Sequence, residues 1–176
     1  MATTAKSTST KSAKARRTRR TGRRDPLAVS LLKKDHREVE GWFDEYEQLE
    51  DEREKLALFN QIALALKVHT TIEEEIFYPE ERGDVEDDML DEAYVEHDGA
   101  KKLIAEIEAM KPSDEYYDAK VKVLGEYIKH HVKEEEQPGG IFAQAKKGDE
   151  DLDAMGERMK ARKEELMAQM GAAKPN

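Results

Sequence analysis

Cysteine is absent from the chain, which rules out disulfide bonds and thiolate metal sites. Any metal ion must therefore be held by histidines and carboxylates. No apolar run approaches the roughly 18 residues of a membrane-spanning helix, and the N-terminus lacks the apolar stretch of a secretory signal peptide. These absences predict a protein without a membrane span, and the cytoplasm is the expected compartment.

Residues that break regular structure are also scarce, since the chain has only 5 prolines and 10 glycines. Charged residues make up 40% of it, against roughly 25% in an average domain. This composition suits long amphipathic helices, because their outer faces must be solvated. The 176 residues are enough for one domain with a sizeable core and too few for two.

The net charge of −10 conceals a basic segment at the N-terminus. Residues 1–24 carry nine lysines and arginines and no acid, so the rest of the chain is strongly acidic. The segment has no Leu, Ile, Val, Phe or Trp that could offset the entropy of ordering, and we predict that it is disordered. Such charge runs are usually solvated tails, and the alternative interpretation is non-specific contact with nucleic-acid phosphates.

Order is predicted to begin at Asp25 as an N-cap, with Pro26 at the first helical position. Apolar residues then recur at steps of three and four, which predicts four amphipathic helices and a fifth that packs against them. The predicted buried faces contain Leu32, His36, Val39, Phe43 and Tyr46; Phe59, Ile62, Leu66, His69, Glu73 and Ile76; Leu90, Ala93, His97, Ala100, Ile104 and Ile107; Tyr117, Val121, Leu124, Ile128, His131 and Glu135; and Leu152, Met155, Met159, Leu166 and Met170.

Each of the first four faces contains a histidine. In two antiparallel helices joined by a short loop, residues equally far from the loop lie at the same height. The midpoints between successive histidines fall at 52–53, Gly83 and Asp114, and the last two adjoin strong turn signals. The sequence therefore predicts an all-α, up-down-up-down four-helix bundle over residues 25–170, with an additional C-terminal helix and four inward histidines at one level.

Two of these histidines are followed four residues later by a glutamate, which puts both side chains on one helix face. Four imidazoles and two carboxylates suit two divalent ions about 3.5–4 Å apart, bridged by the carboxylates. Iron, zinc and manganese all accept these ligands, so spacing does not select the metal. The candidate metal ligands are His36, His69, Glu73, His97, His131 and Glu135.

A single histidine on an apolar face is more often a hydrogen-bonded core residue than a metal ligand. Here six polar groups are predicted at one level, and burying them without partners would cost on the order of several kcal/mol, which favours a metal. A ferritin-like site is excluded, because it needs Glu-x-x-His on two helices and no histidine of this chain has a glutamate three residues before it.

The succession of these motifs resembles the hemerythrin family, in its HHE cation-binding branch, over about residues 26 to 168. The resemblance implies a non-haem diiron protein that binds or senses O2, NO, peroxide or iron. It also implies that the first two histidines hold one iron and the last two hold the other. Glu73 and Glu135 would then bridge the irons, with an oxo or hydroxo group between them.

The chain departs from that family at Lys101, where oxygen carriers have a fifth histidine. The second iron would then be short of a ligand, which favours sensing, redox or NO chemistry over lasting O2 carriage. An iron-dependent enzyme for peroxide breakdown or ferroxidation is an alternative that uses the same residues. His130 competes with His131 for the ligand role, but the apolar face through Leu124 and Ile128 and the family pattern both favour His131.

Overall fold

The computed structural model describes residues 24–172, so the segment predicted to be disordered lies outside the described residues except for Arg24. Every named element in this range is helical, which confirms the predicted fold class. None of its helices is both long and apolar enough to cross a bilayer. The elements are α1 (Leu27–Tyr46), α2 (Glu52–Ile72), a π-helical turn (Glu73–Phe77), α3 (Tyr78–Glu81), α4 (Asp87–Glu108), α5 (Tyr117–Glu136), α6 (Ile141–Ala145) and α7 (Leu152–Ala172).

Helices α1, α2, α4 and α5 form the bundle, and each packs against two of the others around a closed ring. The additional helix α7 lies along the groove between α1 and α2. Its close approach requires Gly156, because a Cβ there would lie 2.5 Å from the backbone nitrogen of Ala28. The buried apolar side chains of α7 are Leu152, Met155, Met159 and Leu166.

The three connections between bundle helices span residues 47–51, 82–86 and 109–116. Each contains or adjoins a midpoint predicted from the histidine spacing. The first connection has no glycine or proline. The residue that marks its end is Asp51, the N-cap of α2. The Asp51 carboxylate accepts hydrogen bonds from the backbone N–H groups two and three residues later, at 2.8 and 3.1 Å. This contact satisfies two of the four free donors that every helix start leaves.

The predicted start of α1 was wrong by one residue. The helix begins at Leu27, and Asp25 does not cap it. The carboxylate of Asp25 instead pairs with Lys33 at 2.8 Å. The backbone N–H of Leu27 donates to Asp153 of α7 at 2.9 Å. A tertiary contact therefore replaces the local cap that the sequence predicts.

Two apolar clusters fill the interior, and a layer of polar side chains separates them. On α1, His36 stands between Leu32 of the first cluster and Val39 of the second. On α4, His97 occupies the same place between the two clusters. The layer interrupts what would otherwise be one continuous core. Its buried polar residues are Asp35, His36, His69, Thr70, Glu73, His97, His131 and Glu135.

Glu81, at the end of α3, is a buried carboxyl outside this layer. It is 0% exposed, and neither of its oxygens has a hydrogen-bond partner in the described part of the chain. Burial raises the pKa of Glu81 to about 7, and the nearby carboxylates of Asp84, Glu150 and Glu80 add to the effect. Loss of its proton is therefore unfavourable in the folded state.

Replacement of Glu81 by glutamine is expected to stabilise the protein above neutral pH. The folded state holds the Glu81 proton more tightly than the unfolded state, so this carboxyl lowers the free energy of unfolding as pH rises from about 4.5 to about 7. We expect Glu81→Gln to gain about 1–3 kcal/mol at pH 8 and close to nothing at pH 4. Urea unfolding at both pH values measures this, with the substitution Glu157→Gln at an exposed position as the control. An equal effect at both pH values would contradict the assignment.

Candidate metal centre

The four interior histidines meet at the bundle centre in two pairs, one from each helical hairpin. The Nε2 atoms of His36 and His69 lie 3.1 Å apart, and those of His97 and His131 also lie 3.1 Å apart. All four residues are at most 5% exposed. Two ligands held at about 2.1 Å by one ion, at right angles, lie about 3.0 Å apart. Each pair therefore has the spacing of two ligands on one ion.

Two carboxylates lie between the histidine pairs. The Oε2 atom of Glu73 is 3.2 Å from the Nε2 of His69 and 3.4 Å from the Nε2 of His97. The Oε2 atom of Glu135 is 3.3 Å from the Nε2 of His36 and 3.7 Å from the Nε2 of His131. Each carboxylate thus faces one histidine of each pair, which is the position of a bridging ligand. The structure brings all six sequence-predicted residues together.

The charge state of these residues fits a pair of cations. Glu73 and Glu135 are 0% exposed, yet both oxygens of Glu73 and the Oε2 of Glu135 have no hydrogen-bond partner among residues 24–172. Burial would raise the pKa of Glu73, but the adjacent His69 outweighs it and holds that pKa well below its ordinary value. A buried, ionised carboxylate with free oxygens is costly unless it binds a cation.

Every interior histidine also has a carboxylate on its far side. A histidine whose Nδ1–H donates to a carboxylate keeps its Nε2 lone pair for a metal and is held in one orientation. The four contacts, measured from Nδ1, are His36 to Glu136 at 2.8 Å, His69 to Asp35 at 3.5 Å, His97 to Glu74 at 3.0 Å and His131 to Glu96 at 2.6 Å.

These four supporting acids were missed by sequence reasoning, although a signal existed. Each is the sequence neighbour of a candidate ligand: two precede a histidine and two follow a glutamate. Neighbours on a helix point about 100° apart, so the acid next to one ligand reaches a histidine on another helix. The pattern repeats between the α1–α2 and α4–α5 hairpins, which gives the site an approximate twofold arrangement.

Tyr78 was also missed, because a π-helical turn changes the phase of its helix. The backbone N–H of Tyr78 donates to the carbonyl of Glu73, five residues earlier. In a regular α-helix these two side chains would point about 140° apart, whereas the wider turn brings them to one side. The hydroxyl of Tyr78 consequently donates to Oε1 of Glu135 at 2.9 Å. Burial, and then Glu135, raise the pKa of Tyr78 well above its ordinary value, so the hydroxyl keeps its proton.

The two halves of the site differ in the aromatic ring that covers them. Tyr78 stacks on His97 with ring centroids 5.5 Å apart, and Phe142 of α6 stacks on His36 at 5.8 Å. The Tyr78 oxygen also lies 3.4 Å from the Nε2 of His97. A hydroxyl therefore stands beside one histidine pair and a hydrocarbon ring beside the other, so two bound ions would have unequal surroundings.

Replacement of Tyr78 by phenylalanine is expected to weaken metal binding without unfolding the bundle. Oε1 of Glu135 would lose its hydrogen bond, and losses of this kind behind a ligand cost about 10–100-fold in metal affinity. Competition with a chelator measures the change. Tyr94→Phe is the control, because that hydroxyl donates to the backbone carbonyl of Glu74, at 3.4 Å. Equal affinities of Tyr78→Phe and Tyr94→Phe would exclude this role.

Lys101 does not enter the site. Its ammonium group binds the carboxylate of Glu74 at 2.6 Å, and Glu74 in turn accepts from His97. Where the resemblance leads one to expect a fifth histidine, this chain therefore has a cation that holds a supporting acid in place. On α5, His131 is 4% exposed, whereas the side chain of His130 is 61% exposed and lies outside the bundle.

A small cavity of about 20 Å³ adjoins the histidines. A volume of this order holds a molecule of about the size of water. Aliphatic side chains form part of its wall, and its volume leaves no room for an organic substrate. The cavity is lined by the four histidines together with Asp35, Val39, Leu66, Thr70, Ile128 and Val132.

Comparisons with known proteins agree with this geometry. Residues 27–138 match the family model of the hemerythrin HHE cation binding domain. The crystal structure of a hemerythrin HHE cation binding domain-containing protein from Mycobacterium kansasii has the same fold, with a TM-score of 0.69 and 23% identity over 81% of this chain and 88% of that one. A DNA nickase from a Nostoc species is 27% identical over 151 residues, which are 85% of this chain and 42% of the nickase. The chain thus spans less than half the length of that relative.

Proposed function

This chain belongs to the hemerythrin HHE cation-binding family and binds metal, and from that premise we propose that it is a diiron protein that binds or senses O2, NO or peroxide. One observation carries the proposal. Four Nε2 atoms converge in pairs on two buried carboxylates, and the inward oxygens of these carboxylates lack hydrogen-bond partners within residues 24–172. Only cations would satisfy all of these atoms at once.

In this assignment each hairpin supplies the histidines of one ion. His36 and His69 hold the first, His97 and His131 hold the second, and the two interior glutamates bridge them. Six protein ligands leave coordination positions open on two ions, and zinc or manganese would fit the same donors. Iron would add the capacity to exchange electrons with a small oxidant, and an oxo or hydroxo group between the ions would complete the set.

The residues around the ligands have separate roles in this proposal. The four supporting acids hold the imidazoles in the orientation that directs Nε2 inward. Tyr78 keeps a proton beside Glu135 and His97. The small volume of the adjoining cavity limits a ligand to a molecule of a few atoms. O2, NO and peroxide fit this limit, whereas an organic substrate does not.

Metal analysis combined with optical spectroscopy tests the proposal. Protein from iron-replete cells should contain about two irons per chain. The reduced protein should gain a visible absorption band when it is exposed to air, and in a separate anaerobic experiment when NO is added. Consumption of peroxide with turnover would identify an iron-dependent enzyme rather than a binding protein. A colourless protein that holds zinc under these conditions would overturn the assignment of iron.

A second candidate function concerns the basic segment at residues 1–24. Nine positive charges in that segment and the similarity to a protein named DNA nickase favour non-specific contact with DNA. We expect the full chain to bind duplex DNA with an affinity that falls steeply with salt, and a chain lacking residues 1–24 to lose this binding, since the remaining body is acidic. Equal binding by both chains would exclude the segment as the DNA contact.

A further inference from the structure

A third group of metal-binding side chains lies on the outer side of α5, one residue out of phase with the interior ligands. His130 and Glu134 repeat the His-x-x-x-Glu spacing of the interior pair, and Glu96 reaches them from α4. Their ligand atoms all lie within 4.8 Å of one another. We propose that Glu96, His130 and Glu134 form a surface site for a single divalent transition-metal ion, separate from the diiron centre.

The distances match a site with one nitrogen and two oxygens. The Nε2 of His130 is 3.2 Å from Oε1 of Glu134 and 3.7 Å from Oε1 of Glu96. A mixed imidazole and carboxylate set suits Zn²⁺, Fe²⁺ and Mn²⁺ rather than Mg²⁺ or Ca²⁺. Because the side chain of His130 is 61% exposed, the ion keeps water ligands and exchanges more readily than an interior one.

The alternative is an ordinary surface ion pair between His130 and Glu134, which would contribute little to stability. The charge balance favours a cation instead. Within residues 24–172, the ion-pair partners of Glu96 and Glu134 are histidines alone, with no lysine or arginine. Glu96 and Glu134 also line a neighbouring pocket of about 80 Å³, together with Glu92. The two carboxylates of the site carry two negative charges, which one imidazolium does not balance and one divalent ion does.

Glu96 connects this surface site to the interior. Its Oε2 lies 2.6 Å from the Nδ1 of His131, while its Oε1 faces His130. The pocket beside it also reaches Glu135. An ion on the surface site would therefore share the Glu96 carboxylate with the support of His131.

Counting of bound Zn²⁺ tests the proposal on the full chain. Metal-free protein is dialysed against Zn²⁺, and the wild type should bind one ion more per chain than His130→Ala/Glu134→Gln. Glu126→Gln is the matched control, because it removes a charge from an exposed position of the same helix and should leave the count unchanged. Circular dichroism checks that the variants fold, which is expected because these substitutions are at the surface.

The site is distinguishable from the diiron centre by the variant Glu73→Gln, which should lose interior ions and keep the ion bound through His130. This result would support the surface site even if the proposed function were wrong. Equal ion counts in the wild type and His130→Ala/Glu134→Gln would overturn the site. An equal loss in Glu126→Gln would overturn it as well, because it would show diffuse attraction to the acidic surface.

Discussion

Glu73→Gln is expected to abolish binding of both interior metal ions, not only one. Its Oε2 atom lies within 3.4 Å of a histidine from each pair, so the loss of one carboxylate removes a ligand from both positions. A change behind a ligand already costs about 10–100-fold in affinity, and the loss of a shared ligand should exceed about 100-fold. Each variant of this series is made in the His130→Ala/Glu134→Gln background, so that only interior ions are counted. The metal content of the purified protein, measured by elemental analysis, should then fall from about two ions per chain to nearly none.

Glu75→Gln provides a matched control within the same run of three glutamates. Glu75 pairs with Arg162 of α7 at 2.7 Å and lies outside the polar layer, so its loss should leave the metal content unchanged. Glu73→Gln keeps the size of the side chain, so a folding defect is not the expected outcome. If Glu73→Gln retained two ions per chain, the bridging assignment would be wrong. Retention of one ion would show that Glu73 serves a single metal.

Removal of the metal is expected to lower the free energy of unfolding by several kcal/mol. A ligand present at 1,000 times its dissociation constant stabilises a protein by about 4 kcal/mol per site. Without an ion, neither oxygen of the buried Glu73 has a hydrogen bond of good geometry among residues 24–172, and the neighbouring His69 must balance the carboxylate charge. Against burial, Glu73 and Asp35 raise the pKa of His69 to about 10, so the metal-free protein holds a buried charged pair instead. Urea unfolding with Zn²⁺ and with a chelator measures the difference.

The double variant His69→Leu/Glu73→Met should reverse the order of stabilities. Replacement of a buried charged pair by apolar residues of similar volume is often neutral or stabilising by about 1–4 kcal/mol. In chelator, the variant should therefore equal or exceed the wild type, and in Zn²⁺ the wild type should be the more stable protein. A variant that is less stable in chelator would show that the polar layer contributes to the fold by itself.

The candidate metal site interrupts the apolar core of the bundle. The polar layer divides the apolar interior into two clusters, and α7 stabilises the bundle on one side of it. Lys163 of α7 also donates to Asp35, which supports His69. Truncation of the last helix would therefore disturb both the packing of α1 with α2 and the orientation of a candidate ligand.

The fold was largely predictable from the sequence because few residues interrupt the helical period. Steps of three and four define which face of each helix is buried, and the turns near Gly83 and Asp114 define the length of each helix. A short connection between two antiparallel helices then fixes the height of one helix relative to the other. The convergence of His36, His69 and His97 with the fourth histidine follows from this geometry, without knowledge of any contact.

Other features of the site depend on how each helix is rotated about its axis. The helical period of the apolar residues identifies the buried face only to within one neighbouring position. It therefore could not predict that Glu96 contacts both His131 and His130. It also could not predict the π-helical turn, since Tyr78 lies out of phase with Glu73 in a regular helix. The predicted start of α1 was wrong because Asp153, far along the chain, accepts the hydrogen bond of the Leu27 backbone N–H.

Amino-acid order alone thus determined the five long helices, their order along the chain and the height at which the polar residues occur, but not the short helices α3 and α6. Tertiary structure decided which carboxylate stands behind each imidazole, which aromatic ring covers each half of the site, and which histidine of α5 faces inward at 4% exposure. The physical reason is that a helical repeat is a local property of about four residues. A contact across the bundle depends on the packing of several helices at once.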